Sequence, residues 1–394
     1  MIGRAGGSRR DVLLIVFSRV FRNFAAGFLN VAVGLYMYTE LHYSFPLIGS
    51  VFGAASLAAP FLNLVFGLTS DVYGRKKMLV IGNSLLVFST IMLLLSSSYY
   101  LIVLASMLGS FGLAGGTVGG GVGGYVAPMQ NALLAEKAPP GERTRYFSLA
   151  SVAGGVSSSV GAFLTNIPDY RTLFLIGLVI SALATVIVLF ISESQSRKPA
   201  REVFRFRSGR NIAKFSVTGA LNGLGQGLVT PYFSVLFKSN YHISNGLIGD
   251  IMGAATLVTA FSLYFTPYLT KKLGFVNLIS VTRGVSTLLL GLFPFIPGIV
   301  LASADYFCFT ALRMLSLPAQ QSLMMGMVTE NERGAATSVN QASRLIPSSA
   351  GTFIAGYLFA DSFELPFLVS VPVNLFNIVF YNLFFRKDER KVEF

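Results

Sequence analysis

The sequence predicts an all-α integral membrane protein: twelve transmembrane helices in two six-helix, pseudo-symmetric bundles. Three observations carry that expectation: the composition, the spacing of the apolar runs, and a repeat about half a chain apart. Of 394 residues, 53% are hydrophobic and only 12% are charged, where soluble chains average roughly a quarter charged. At ~20 apolar residues per span plus a short connection, the chain holds roughly a dozen spans and little else.

The elements follow in order. The first run, Val12 to Tyr38, is too long for a signal-peptide core and lacks a small-residue cleavage site after it, so it is a retained span. Runs near 46-69, 77-97, 100-127, 146-166 and 171-192, bounded by charge or by Gly and Pro, complete a first set of six. The polar, basic stretch Glu193 to Lys214 then separates six more, near 212-237, 245-268, 275-296, 298-321, 335-359 and 366-385. Backbone groups in hydrocarbon must pair within their own segment, so runs of this length are helices. The predicted division is an N-terminal bundle over 1-192, a cytoplasmic basic linker over 193-211 and a C-terminal bundle over 212-394.

Orientation comes from Lys and Arg. With the N-terminus inside, the inner connections hold 23 of them, and the outer ones hold only Arg171 and Lys238. That positive-inside bias places a multi-pass protein in the cell membrane with both termini cytoplasmic. Topology and anionic headgroups account for the net charge of +13, so no nucleic-acid partner is expected. Two His, one Cys and no Trp leave no metal cluster, disulfide framework or Cys/His nucleophile pair, so neither an enzyme nor a cofactor is expected. Cys308 reads as a buried apolar filler.

The halves are duplicates. Leu47-Ile48-Gly49, Gly53-Ala54-Ala55 and Leu57 recur as Leu247-Ile248-Gly249, Gly253-Ala254-Ala255 and Leu257, and Ile102 to Ser106 recurs as Ile299 to Ser303. Pro128, Gln130, Leu133, Glu142, Arg143 and Ser148 recur as Pro318, Gln320, Leu323, Glu332, Arg333 and Ser338. Parallel repeats of this kind place a site at the midplane between them. The first half also carries a glycine-rich insertion, Gly112 to Gly124, which fits close helix packing rather than a phosphate loop.

Between spans two and three lies Gly67-Leu68-Thr69-Ser70-Asp71-Val72-Tyr73-Gly74-Arg75-Lys76-Lys77. It resembles the signature Gly-X-Leu-Ala-Asp-Arg-X-Gly-Arg-Lys of the major facilitator superfamily, departing from it at Thr69, Ser70 and Val72. The resemblance implies two bundles rocking about a central site, with Gly67, Asp71, Gly74 and Arg75 in an inner gate. The second half keeps Gly274 but lacks the acid and the arginine, so the gate should be asymmetric.

A charge at a helix centre costs at least ~2.5 kcal/mol and so marks a pathway. Arg22, Ala26 and Asn30 follow i, i+4, i+8 on span one, with Arg19 and Asn23 extending the face; span seven answers with Asn222, Gln226 and Thr230. Span eleven aligns Thr337, Gln341, Arg344 and Ser348, and span ten carries Asp305 and Arg313. The expected substrate-binding set is therefore Arg19, Arg22, Asn30, Asn222, Gln226, Arg313, Gln341 and Arg344. Asp305 is either the proton-coupling group or the partner of an Arg. Arg283, in a span expected at the periphery, reads as structural, and Asp250 as the cap of span eight. Four candidate arginines against one acid favour an anionic solute.

Together these point to a monomeric secondary active transporter of a small solute, such as an organic anion, working by alternating access on a proton or solute gradient. The alternative is a drug or metabolite exporter. Span five (Ser151 to Phe163) keeps Gly154, Gly155 and Gly161 but lacks the Gly-Pro step of the antiporter motif.

Overall fold

The computed structural model describes residues 9–112, 124–139, 142–192, 208–329 and 332–387, apart from the side chains of 68, 71, 72, 144 and 333–335. Most of the glycine-rich insertion and of the linker therefore falls outside the described residues, as does the Asp71 carboxylate.

The regular structure is helical throughout the described residues. The N-terminal helices are α1 (Arg9–Thr39), α2 (Phe45–Tyr73), α3 (Arg75–Leu95), α4 (Tyr99–Gly109), α5 (Ala127–Lys137), α6 (Arg143–Ala162) and α7 (Tyr170–Leu189). The C-terminal helices are α8 (Gly209–Gly227), α9 (Phe233–Tyr241), α10 (Asn245–Tyr264), α11 (Thr266–Leu273), α12 (Phe275–Leu292), α13 (Ile299–Met327), α14 (Arg333–Asp361) and α15 (Leu365–Phe385). Within the described residues, each apolar run of the sequence falls largely on helix. Nine of these helices are long and apolar enough to cross a membrane. α14 falls short of that standard despite its length, because it carries Asn340, Gln341, Ser343, Arg344, Ser348 and Ser349. α8 is short because the span breaks at Gly227 and resumes through a 3-10 turn, Thr230–Tyr232. Pro231 cannot donate a helical hydrogen bond there, and the Thr352 hydroxyl donates to the Gly227 carbonyl left at the break (3.0 Å).

Arg9, Lys387 and the basic connections around Arg75 and Lys137 lie at one end of the molecule, the basic end. At the far end, one apolar core runs through both sets of helices, from Phe28, Phe52 and Phe174 to Tyr232, Phe237, Phe293 and Phe367. At the basic end the apolar side chains form two separate clusters instead. One, around Leu79, Tyr125 and Leu133, belongs to N-terminal helices; the other, around Phe215, Ile279 and Leu323, belongs to C-terminal ones.

The far end closes along two symmetry-related seams, α2 on α14 and α6 on α10. Ser349 Oγ donates to the Gly53 carbonyl (2.7 Å) and Ser159 Oγ to the Gly253 carbonyl (2.6 Å). These are the glycines of the repeated motif. A Cβ at Gly249 would lie 2.5 Å from the Ala162 carbonyl oxygen, so the backbones meet there without side chains between them. Two more bonds tie the same end: Asn166 Nδ2 to Asp250 Oδ1 (2.9 Å) and Asn245 Nδ2 to the Tyr170 hydroxyl (2.8 Å). Asp250 is therefore a strap across the seam and not the cap of its helix; Ser244 caps α10 by accepting from the Leu247 N–H.

Candidate functional site

The seams leave a cleft between the two sets of helices, with about 930 Å³ of open space, its mouth included. α1 contributes Gly27, Asn30 and Val31, and α6 contributes Ser158 and Ala162. From the other side come Gln226, Thr230 and Ser234 around the helix break, Met252, Thr256 and Thr259 of α10, and Tyr306, Phe309, Arg313 and Met314 of α13. The lining is apolar and hydroxyl-bearing, with one cation, Arg313, and no carboxylate among the described residues. Such a wall accepts an apolar body and aims one positive group at it.

Arg313 is 5% exposed. Its Nη2 donates to the side-chain oxygens of both Asn222 (2.5 Å) and Asn374 (2.8 Å). The Asn374 amide is itself fixed, since its Nδ2 donates to the Ser370 carbonyl and hydroxyl (2.9 Å each) while that hydroxyl donates to the Gly225 carbonyl (2.7 Å). Two neutral oxygens thus orient the guanidinium without neutralising it, and they occupy a single nitrogen. The N–H donors of Nε and Nη1 are left for a carboxylate or phosphate.

The structure gathers Asn30, Gln226 and Arg313 at one cleft, with Asn222 directly behind Arg313. Arg22 does not line it: eight residues of helix turn ~80° away from Asn30, since four residues overshoot a turn by ~40°. Arg22 is 4% exposed, with Nη2 on the Asn23 side-chain oxygen (3.3 Å). Arg19 donates Nη1 to Asn131 Oδ1 (3.0 Å), nearer the basic end. Gln341 and Arg344 are outside the lining, although Arg344 and Arg283 are near enough for their charges to act on Arg313. Asp305 lies next to Tyr306, 8% exposed and two turns from Arg313 toward the far end. Among the described residues, no hydrogen bond or ion pair to it is found.

Arg283 is 1% exposed and fully engaged, donating Nε to Ser316 Oγ (3.2 Å), Nη1 to Asn377 Oδ1 (2.9 Å) and Nη2 to Gln320 Oε1, with the Tyr381 ring 5.4 Å away. Cys308 departs from expectation. It is exposed, on the outward face of α13 with Leu301 and Ala304; in a membrane that face meets lipid, which suits a thiol as well as a core does. In the predicted gate motif, Gly74 takes φ 101 between α2 and α3, a conformation that favours glycine. Arg75 pairs with Glu136 of α5 at 3.4 Å, while Gly67 has open space at its Cβ position. Sequence reasoning missed Ser370 and Asn374. They stand four residues apart in an apolar span, a polar stripe continued by Asn377, but none of the three carries a charge to mark it.

The family model described as Major Facilitator Superfamily matches residues 15–351 and, separately, 215–394. The multidrug resistance protein MdtG of Proteus mirabilis (strain HI4320) is 26% identical over 360 residues, covering 86% of this chain and 84% of that protein. Among solved structures, a mutant of the nucleoside transporter NupG has a TM-score of 0.77 at 14% identity, covering 95% of this chain and 100% of that one. The human organic anion transporter MFSD10 (TETRAN) has a TM-score of 0.66 at 14% identity, covering 95% and 99%. At such identities the structural likeness is one of fold.

Proposed function

This chain belongs to the major facilitator superfamily, and from that premise we propose that it moves a small amphipathic anion across the cell membrane by alternating access. The observation that carries the reading is Arg313, the one cation among the described residues of a cleft otherwise lined by apolar, hydroxyl and amide side chains, held by amides that leave its charge intact. Asn30 and Gln226 supply neutral hydrogen bonds from opposite sides of the cleft, so a bound solute touches both sets of helices. In this reading residues 1-192 and 212-394 are the two rocking bodies, 193-211 links them, and both termini are cytoplasmic. The conformation is then the one open to the cytoplasm. Gly67, Asp71, Gly74 and Arg75 belong to the inner gate, and Arg19, Arg22, Gln341 and Arg344 line the route rather than the cleft itself.

The export direction is favoured by a specific observation, the relative named for multidrug resistance. A proton gradient would drive it through Asp305, the buried acid on the same helix as Arg313. The test is transport by purified protein in liposomes under an imposed pH gradient, across a panel of apolar solutes with and without one acidic group. Preference for the acidic members is expected, and equal flux for their neutral analogues would overturn the reading. Asp305→Asn should abolish pH-driven accumulation while leaving exchange of solute intact; undiminished accumulation would remove Asp305 as the proton carrier.

A further inference from the structure

At the basic end, away from the cleft, the first turns of α8 and the last turn of α15 leave a crevice with about 1630 Å³ of open space, its mouth included. Its walls carry three cations, Arg210 and Lys214 from α8 and Lys387 just past α15, and no carboxylate among the described residues. Arg210, Lys214 and Val217 are spaced i, i+4, i+7 and share one helix face. One turn deeper into the span the wall becomes apolar with Val217, Leu383 and Phe384, of which Val217 is 46% and Leu383 70% exposed.

The crevice is braced. Lys214 Nζ donates to the Phe384 carbonyl across it (3.1 Å), and Asn211 Nδ2 ties α8 to α13 through the Met327 carbonyl (2.8 Å). The N-terminus of α8, the positive end of a 19-residue helix, opens at the same place. The repeat does not supply all of it: 200 residues earlier Arg10 and Phe17 match Arg210 and Val217 in kind, but Leu14 stands where Lys214 does. Cations above an exposed apolar wall, at the depth where a helix leaves a bilayer, match a headgroup phosphate above acyl chains.

We infer that this crevice binds an anionic phospholipid, its phosphate on Arg210, Lys214 and Lys387 and its chains along Val217 and Leu383. The site requires only that α8 and α15 cross a bilayer, so its failure would leave the transport reading untouched. A free phosphate would use the same cations but ignore the apolar wall, and the experiment separates the two.

The full-length protein is reconstituted in nanodiscs of equal parts phosphatidylcholine and phosphatidylglycerol, extracted into detergent, and its retained lipid is weighed by native mass spectrometry. Wild type should retain phosphatidylglycerol over phosphatidylcholine. Arg210→Gln with Lys387→Gln should cut that preference about tenfold, the worth of two interfacial cations less screening. Arg210→Lys with Lys387→Arg, which keeps the charges, should restore it and guards against misfolding in the first pair. Leu383→Ser should lower phospholipid retention while inorganic phosphate, titrated separately, binds no better to any form than to the glutamine pair. Indiscriminate retention by wild type, an unchanged preference in the glutamine pair, or phosphate binding that depends on Arg210 and Lys387 but not on lipid chains would each overturn the assignment.

Discussion

Arg313 shows how this chain keeps a cation buried and still usable. A carboxylate partner would have satisfied it and cancelled its charge, whereas the two amide oxygens of Asn222 and Asn374 satisfy one nitrogen and cancel nothing. Charge-assisted hydrogen bonds are worth about 1.5–3 kcal/mol each. Arg313→Ala should therefore weaken binding of an acidic solute roughly 10- to 150-fold, and Arg313→Lys should recover only part of it, since an ammonium has no planar edge to offer. Asn374→Leu tests the support without touching the solute: its expected signature is a smaller loss of affinity that falls on acidic solutes and spares their neutral analogues. Equilibrium binding to protein in nanodiscs reads all three. At this scale the sequence was partly legible. Charge in an apolar run identified Arg313, because burial of such a group is costly wherever it occurs, and Asn222 and Gln226 stood out because they answer the polar face of span one 200 residues earlier. Asn374 escaped because it carries no charge and the residue 200 positions earlier is Phe174.

The helices close the far end through the repeated Leu-Ile-Gly motif, whose glycines admit backbone contact while Ser159 and Ser349 hold the seams. In membranes such hydrogen bonds average about 0.6 kcal/mol. Ser159→Ala with Ser349→Ala should thus shift the population toward opening at that end by roughly sevenfold. A Thr230→Cys substitution in a Cys308→Ser background reports it, through faster reaction with an impermeant thiol reagent applied from the far side. Gly249→Val acts in the same seam by overpacking, at about 1–3 kcal/mol against closure. The sequence revealed this repeat and the helices it belongs to, since period and duplication are properties of the chain alone. That the repeat serves as a seam depends on which helices meet, and Asp250 is the clearest case. Near a helix start it reads as a cap, and only the neighbouring Asn166 shows otherwise.

The whole molecule is lopsided, with one core shared at the far end and two separate cores at the basic end. Asn166→Cys with Asp250→Cys, replacing a pair now joined by a 2.9 Å hydrogen bond, should lock the far end when oxidised. Transport should stop and return on reduction, while solute binding from the basic side persists; flux through the oxidised form would show that this end does not open. The fold class was the most legible level of all, because apolar run length and positive-inside bias are set by the bilayer rather than by packing. The sequence left open which end is sealed, a property of one conformation among several.

That lopsidedness also carries a thermal signature. Parting the far end wets aromatic and aliphatic surface, and hydrating such surface raises heat capacity, whereas parting the basic end disturbs no comparable shared core. An Arrhenius plot of turnover limited by the far end should therefore bend, and the oxidised double-cysteine variant, titrated with solute from the basic side, should show only the modest heat-capacity decrease of burying the solute's own apolar body in the cleft.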